Sequence, residues 1–215
     1  MRTKFAFKPF VLFIIFSFNL IIPVRPARAA PEPVLPTFSD FVVAVTNGQA
    51  GVIRGVYVPG VLAYRVVQQP VDKPVYVSPI QDIVTQFGLA AQNNVIGLLA
   101  HNHLAGATFS SLFVGQEVRI VYGDGKVTYY MINQITRFQA LQPESIYSNF
   151  LDLSSNITYT YQEIFAMFYQ NSGQVVFQTC IMADGEASWG RLFVTATPAF
   201  LIYLPEIHTV AIHAR

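Results

Sequence analysis

From Phe41 onward, apolar residues come in short runs separated by turn chemistry. Phe41–Val45, Val52–Val58 and Val61–Val67 are rich in valine and aromatic residues. Each run is followed by a turn signal: Asn47-Gly48, Pro59-Gly60 and Gln68-Gln69-Pro70. Runs of this length and composition predict strands. The pattern changes at Ser78, where Ser78-Pro79-Ile80-Gln81 combines a capping serine, proline at the first helical position and a glutamine placed to close a capping box. Ile80, Ile83, Val84 and Phe87 then recur at i, i+3, i+4 and i+7, which predicts a helix.

Val95–Ala100 is apolar throughout and stops at His101-Asn102-His103. Such a run predicts a buried strand that delivers histidines to its end. Val118–Tyr122 and Val127–Ile132 flank Gly123-Asp124-Gly125-Lys126, a hairpin signal whose glycines serve the turn rather than a phosphate or metal. Strand character continues through Asn133–Leu141. Within the long connection Gln142–Gly173, Thr160 and Glu163 are spaced as a capping box ahead of Ile164, Met167 and Phe168, predicting a short helix near residues 160–170. Val175–Ile181 and Leu192–Thr197 read as the closing strands. Phe200–Arg215 is apolar but interrupted by proline, and is expected to pack on the rest. Short strands at regular spacing predict a mainly β fold, a barrel or sandwich.

The N-terminus follows another logic. Arg2, Lys4 and Lys8 precede an apolar run, Phe10–Ile22, which Pro23 breaks; Ala27-Arg28-Ala29 then offers a small-x-small cleavage pattern. This predicts a signal peptide over residues 1–29, or an N-terminal membrane anchor if Phe5–Val24 acts as one segment. Residues 30–40, with Pro31–Pro36, are expected to be an extended linker, and residues 41–215 one folded domain. Five of the 13 Lys and Arg lie at or before Arg28, while all 12 acidic residues follow it, so the remainder carries eight cations against twelve anions, a net charge of −4. A chain so short of cations is a poor partner for nucleic acid.

Cys180 is the only cysteine. A lone cysteine packs as a small hydrophobe in many proteins, but an exported chain with one thiol can form no disulfide within itself, and this thiol sits at a strand end beside a polar turn. His101 ends an apolar strand and Arg191 lies just past the turn that follows Cys180. His101 and His103 could instead supply two zinc ligands, with Cys180, His208, His213 or an acid as a third. The His-Asn-His spelling matches a nuclease motif, but the further metal ligands and basic surface that motif requires are not evident.

In this order the residues resemble the sortase family of cysteine transpeptidases. Leu98-Leu99-Ala100-His101 matches the family's strand-then-histidine motif, Phe109-Ser110-Ser111-Leu112 its Phe-x-x-Leu, and Gly115–Val118 with Tyr129–Ile132 its hairpin. Val176-Phe177-Gln178-Thr179-Cys180 stands where the family has T-L-x-T-C, keeping only Thr179 and Cys180, and Gly190–Val194 carries its arginine. The resemblance spans about Val52 to Thr197. Spacing to Phe109 favours His101 over His103. The resemblance implies a sortase-like eight-stranded β-barrel with one or two short helices and no cofactor. It implies Cys180 as nucleophile, His101 as general acid and base, and Arg191 as oxyanion donor. The partners it implies are a peptide sorting signal, received near Gln142–Gly173, and an amine acceptor at the cell surface. The alternatives are a catalytically inert surface binding module of the same fold, and a zinc-dependent hydrolase built on the His-x-His pair.

Overall fold

The computed structural model describes residues 35–199. The expected signal segment, residues 30–34 of the expected linker and the segment Phe200–Arg215 lie outside the described residues. No helix among the described residues is long and apolar enough to cross a membrane.

In chain order the elements are α1 (Phe38–Val45), β1 (Ile53–Val58), β2 (Leu62–Gln68), β3 (Ile83–Gln86), α2 (Gly88–Gln92), β4 (Ile96–Leu99), a 3-10 stretch (Ala105–Ser111), β5 (Glu117–Tyr122), β6 (Val127–Ala140), β7 (Phe150–Asp152), β8 (Thr158–Tyr159), α3 (Tyr161–Tyr169), β9 (Val175–Ala183) and β10 (Glu186–Pro198). The sheet runs β10-β9-β4-β3-β2-β1-β5-β6-β7-β8, and β10 also pairs with β6. That extra pairing closes a ring of eight strands, with β7 and β8 hanging from the far half of β6. Two pairs in the ring, β2–β3 and β4–β9, are parallel; the others are antiparallel. The eight-stranded barrel is therefore as expected. The described residues hold three short α-helices and the 3-10 stretch.

Alternation along each strand sends one face inward. Ile53, Val56, Leu62, Val66, Val84, Leu98, Val118, Ile120, Ile132, Phe177, Leu192 and Val194 are among the residues of a single interior core to which all eight ring strands contribute. A second core forms on the outside of the barrel. There Phe138, Val176 and Phe193 meet Ile164, Phe168 and Tyr169 of α3, and the rings of Phe168 and Phe193 stack at 4.0 Å. The connection between β6 and β9 is thus folded back onto the barrel wall. As expected, Thr160 caps α3: its hydroxyl accepts from Glu163 N–H, while the Glu163 carboxylate accepts from Thr160 N–H.

Two expected elements are corrected. Phe41–Val45 is not a strand but the body of α1. Thr37 caps it by accepting from Asp40 N–H, and Phe41 and Val45 face Gly55 of β1. A Cβ at Gly55 would stand 2.8 Å from the Phe41 ring, so glycine there lets the helix dock. The first helix accordingly begins at Phe38, within the segment expected as linker. The second correction concerns residues 80–87, where the expected helix is replaced by β3. Asp82 takes a left-handed conformation at φ 59, which a helix running through it could not accommodate. The β-branched run Ile83-Val84-Thr85 then pairs with β2 on one side, with Thr85 and Gln86 pairing β4 on the other. Ser78 caps no helix; its N–H donates to Thr85 Oγ1 at 2.8 Å and its hydroxyl accepts from Ile80 N–H.

Candidate functional site

Cys180 sits in the middle of β9. Its neighbours Phe177 and Thr179 are buried, whereas Cys180 itself is half-buried. Val175 and Phe177 belong to the interior core and Val176 to the outer one, so alternation turns Gln178 and Cys180 to the outer face. On β10, Leu192 and Val194 point inward and Phe193 outward, which places Arg191 on the same outer face. Arg191 and Cys180 are direct partners across the antiparallel β9–β10 pair. Side chains opposite each other in this way are nearest neighbours on a sheet.

His101 arrives from the other side. The last bond of the β4–β9 ladder runs from Ala100 N–H to Gln178 O at 3.2 Å. Leu99 is level with Gln178, so continuing the parallel register past β4 sets His101 level with Cys180. Ala100 belongs to the interior core, and alternation again sends the following residue outward. Cys180 and Arg191 thus form a row across β9 and β10, and the β4 register, continued past Leu99, would bring His101 to its end. His103, the rival histidine, is exposed, and its ring stacks on that of His101 with centroids 5.5 Å apart. No hydrogen bond joins the thiol to either imidazole among the described residues.

The backbone carrying His101 is held firmly. Its carbonyl accepts from both Leu104 N–H and Gly106 N–H at 3.0 Å, which folds the chain into the 3-10 stretch. Gly106 is buried against this turn; a Cβ there would lie 2.7 Å from His101 O and closer still to Thr179 Oγ1. The Thr179 hydroxyl is itself buried with no partner. Glycine at 106 thus lets the histidine turn pack directly on the residue before the thiol.

Arg191 is braced by backbone carbonyls. Nη1 donates to Ser188 O and Gly190 O at 2.9 Å, and Nη2 reaches Pro143 O at 3.5 Å. These bonds leave Nε–H and one Nη2 hydrogen without a protein acceptor among the described residues. The guanidinium also lies 6.0 Å from the centre of the Phe150 ring. Both Pro143 and Phe150 come from the connection Gln142–Gly173, which therefore borders the row at Arg191. Ile146 and Tyr147 in that connection are each 64% exposed, and Tyr147 meets Tyr161 edge-on at 5.0 Å. On the same outer face as Cys180, Gln178 accepts a hydrogen bond from the buried Tyr169 hydroxyl, tying α3 to β9. Burial pushes the Tyr169 phenol far above its ordinary range, so it stays protonated and serves as a donor.

Two surface concavities are lined elsewhere. One, of about 270 Å³, lies between the end of α1 and β1–β3 beside Arg54 and Arg65; the other lies beside Arg137 and Leu153. Neither includes Cys180. Among the described residues, no group of three or more His, Cys, Asp and Glu side chains gathers as for a metal. His101 and His103 thus have no third ligand there, while His208 and His213 lie outside the described residues. Sequence reasoning did not single out Asn102 or Gln178, because neither breaks a periodicity; only the packing of loops and helix against the barrel gives them partners.

No protein-family model matches the chain, and no curated protein does. Among solved structures, it is similar to a sortase D5 transpeptidase of Clostridium perfringens at 16% identity and TM-score 0.44, covering 75% of this chain and 86% of the other. It is also similar to sortase C-1 of Actinomyces oris at 12% identity and TM-score 0.47, covering 78% and 83%. A third likeness is to sortase C1 of Streptococcus suis at 15% identity and TM-score 0.47, covering 79% and 81%. The barrel described above rests on this chain's own strand pairings.

Proposed function

We propose that residues 38–199 form a sortase-type cysteine transpeptidase acting at the cell surface, with residues 1–29 as its export signal or anchor. The observation that carries this reading is the direct pairing of Cys180 with Arg191 on one outer face, in register with the end of the strand that delivers His101.

The Cys180 thiolate attacks a backbone carbonyl carbon of a peptide sorting signal, forming a C–S bond and a tetrahedral oxyanion. Arg191 donates its remaining N–H groups to that oxygen. Its bracing by the Ser188, Gly190 and Pro143 carbonyls keeps the guanidinium preorganised, which is what makes such a donor effective. Collapse breaks the peptide C–N bond, and the His101 imidazolium gives its proton to the departing amine. A second amine then attacks the thioester and loses its proton to the neutral imidazole. A new amide forms, and the C–S bond breaks to restore the thiolate. Water in place of the amine gives hydrolysis. The connection Gln142–Gly173, with exposed Ile146 and Tyr147 beside Arg191, is the wall along which the peptide lies.

The test is a peptide library, including LPxTG-like sequences, incubated with and without added amines and read by mass spectrometry. A Cys180-linked acyl intermediate and an amine-dependent product are expected from the wild type, and neither from Cys180→Ala with an unchanged circular dichroism spectrum. Equal turnover by Cys180→Ala would refute the reading. A folded wild type that acylates with no peptide in the library would leave the inert surface module as the better account.

A further inference from the structure

The His-Asn-His segment presents two imidazoles where the proposed chemistry uses one. We propose that Asn102 and His103 are positioning residues that hold the His101 ring over the β9–β10 pair, an inference that rests on the transpeptidase reading above.

Three observations carry it. First, Asn102 Nδ2 donates to Ala187 O on β10 at 2.9 Å, a bond between residues 85 apart in sequence. It ties the middle of the histidine segment to the strand that bears Arg191. Second, the His103 ring lies against that of His101 at 5.5 Å, with planes only 28° apart. Third, the described residues offer no hydrogen-bond partner to either ring nitrogen of His101. A catalytic histidine is ordinarily oriented by a group bonded to its far nitrogen. Here the orientation falls instead to a flat neighbour and to the tether that fixes where that neighbour sits. The His101 main chain is already held by its doubly accepting carbonyl. The freedom left to the residue is rotation of its side chain, which a stacked ring restricts.

The argument separates shape from chemistry. His103 acts as a plane, so phenylalanine replaces it and alanine does not. Asn102 acts as a donor, so the near-isosteric aspartate fails. Because Cys180 is the only thiol, its alkylation by iodoacetamide can be followed by intact mass without knowing the sorting signal. His103 is exposed, so its replacement leaves the fold in place.

The experiment compares alkylation rates of the wild type with His101→Ala, His103→Ala, His103→Phe, Asn102→Ala and Asn102→Asp. The expected result is a fall of about tenfold or more for His103→Ala and both Asn102 variants, consistent with the cost of a displaced catalytic group. His103→Phe should return most of the wild-type rate. Wild-type behaviour of His103→Ala would overturn the inference alone. A His103→Phe variant as slow as His103→Ala would also overturn it, because His103 would then act through its nitrogens. A rate indifferent to His101→Ala would defeat the proposed pairing of His101 with Cys180, and the inference with it.

Discussion

Gly106→Ala probes how tightly the histidine turn is clamped to β9. Gly106 is buried in the 3-10 stretch, and a Cβ built there would stand 2.7 Å from His101 O and 2.9 Å from Ala100 O, with Thr179 Oγ1 nearer still. Two of those three atoms are backbone at the end of β4 and cannot rotate aside. Overpacking of this kind costs about 1–3 kcal/mol. Pushing the turn outward also strains the Gly106 N–H bond to His101 O, worth about 1 kcal/mol. A loss of about 2–4 kcal/mol should lower the melting midpoint of a domain this size by about 5–15 °C. Thr179→Ala alone should be close to neutral, because the hydroxyl it removes is buried without a partner. In combination, Thr179→Ala clears the tightest clash while the two carbonyls remain, so the pair should couple favourably by about 1 kcal/mol. Urea and thermal unfolding of the two single variants and the double give the cycle directly. A Gly106→Ala variant within about 0.5 kcal/mol of wild type, or strictly additive singles, would refute the close packing of turn and strand.

Arg191→Lys should lower amine-dependent turnover about a hundredfold without altering the circular dichroism spectrum, since an ammonium cannot keep the carbonyl bracing and still present a fixed donor to the oxyanion; near-wild-type turnover would remove Arg191 from the proposed chemistry. The capping box of α3 makes a pH prediction. Hydrogen bonds from the Thr160 N–H and hydroxyl hold the Glu163 carboxyl below its ordinary value, so its contribution is present above the ordinary glutamate range and is lost as pH falls through the lowered one. Thr160→Ala should therefore melt a few degrees below wild type at about pH 7, with the gap narrowing at about pH 3; a gap independent of pH would contradict it.

Much of this architecture was legible in the chain. The hairpin around Gly123–Lys126, the capped helix after Thr160 and the apolar run before His101 each carry a local signal that agrees with their tertiary surroundings. The failures have physical causes. In residues 80–87 a helical spacing of apolar residues coincided with a β-branched run, and pairing with β2 and β4 decided the outcome. Ile80, counted in the helical face, is exposed, while Val84 is fully buried. At Phe41–Val45 the valine-rich spelling suggested a strand, but Thr37 and Asp40 form the cap of a helix whose partner face is opened by Gly55. At the site, Cys180, His101 and Arg191 could be read as an ordered set, whereas the direct pairing of Cys180 with Arg191 follows only from the strand register. Asn102 could not be found, because its partner Ala187 lies 85 residues away and offers only a main-chain carbonyl.

The β9–β10 hairpin fills the gap between β4 and β6 that the first six ring strands leave open. During synthesis those six strands emerge first, as a curved sheet with two free edges and a histidine at one of them. The thiol and the arginine arrive together, on the same insertion that joins the edges. A nascent chain would therefore hold His101 without Cys180 and Arg191 beside its strand, and the three would be brought together only as the ring shuts. In this fold, completing the barrel and bringing Cys180 and Arg191 beside the strand that leads to His101 are one event.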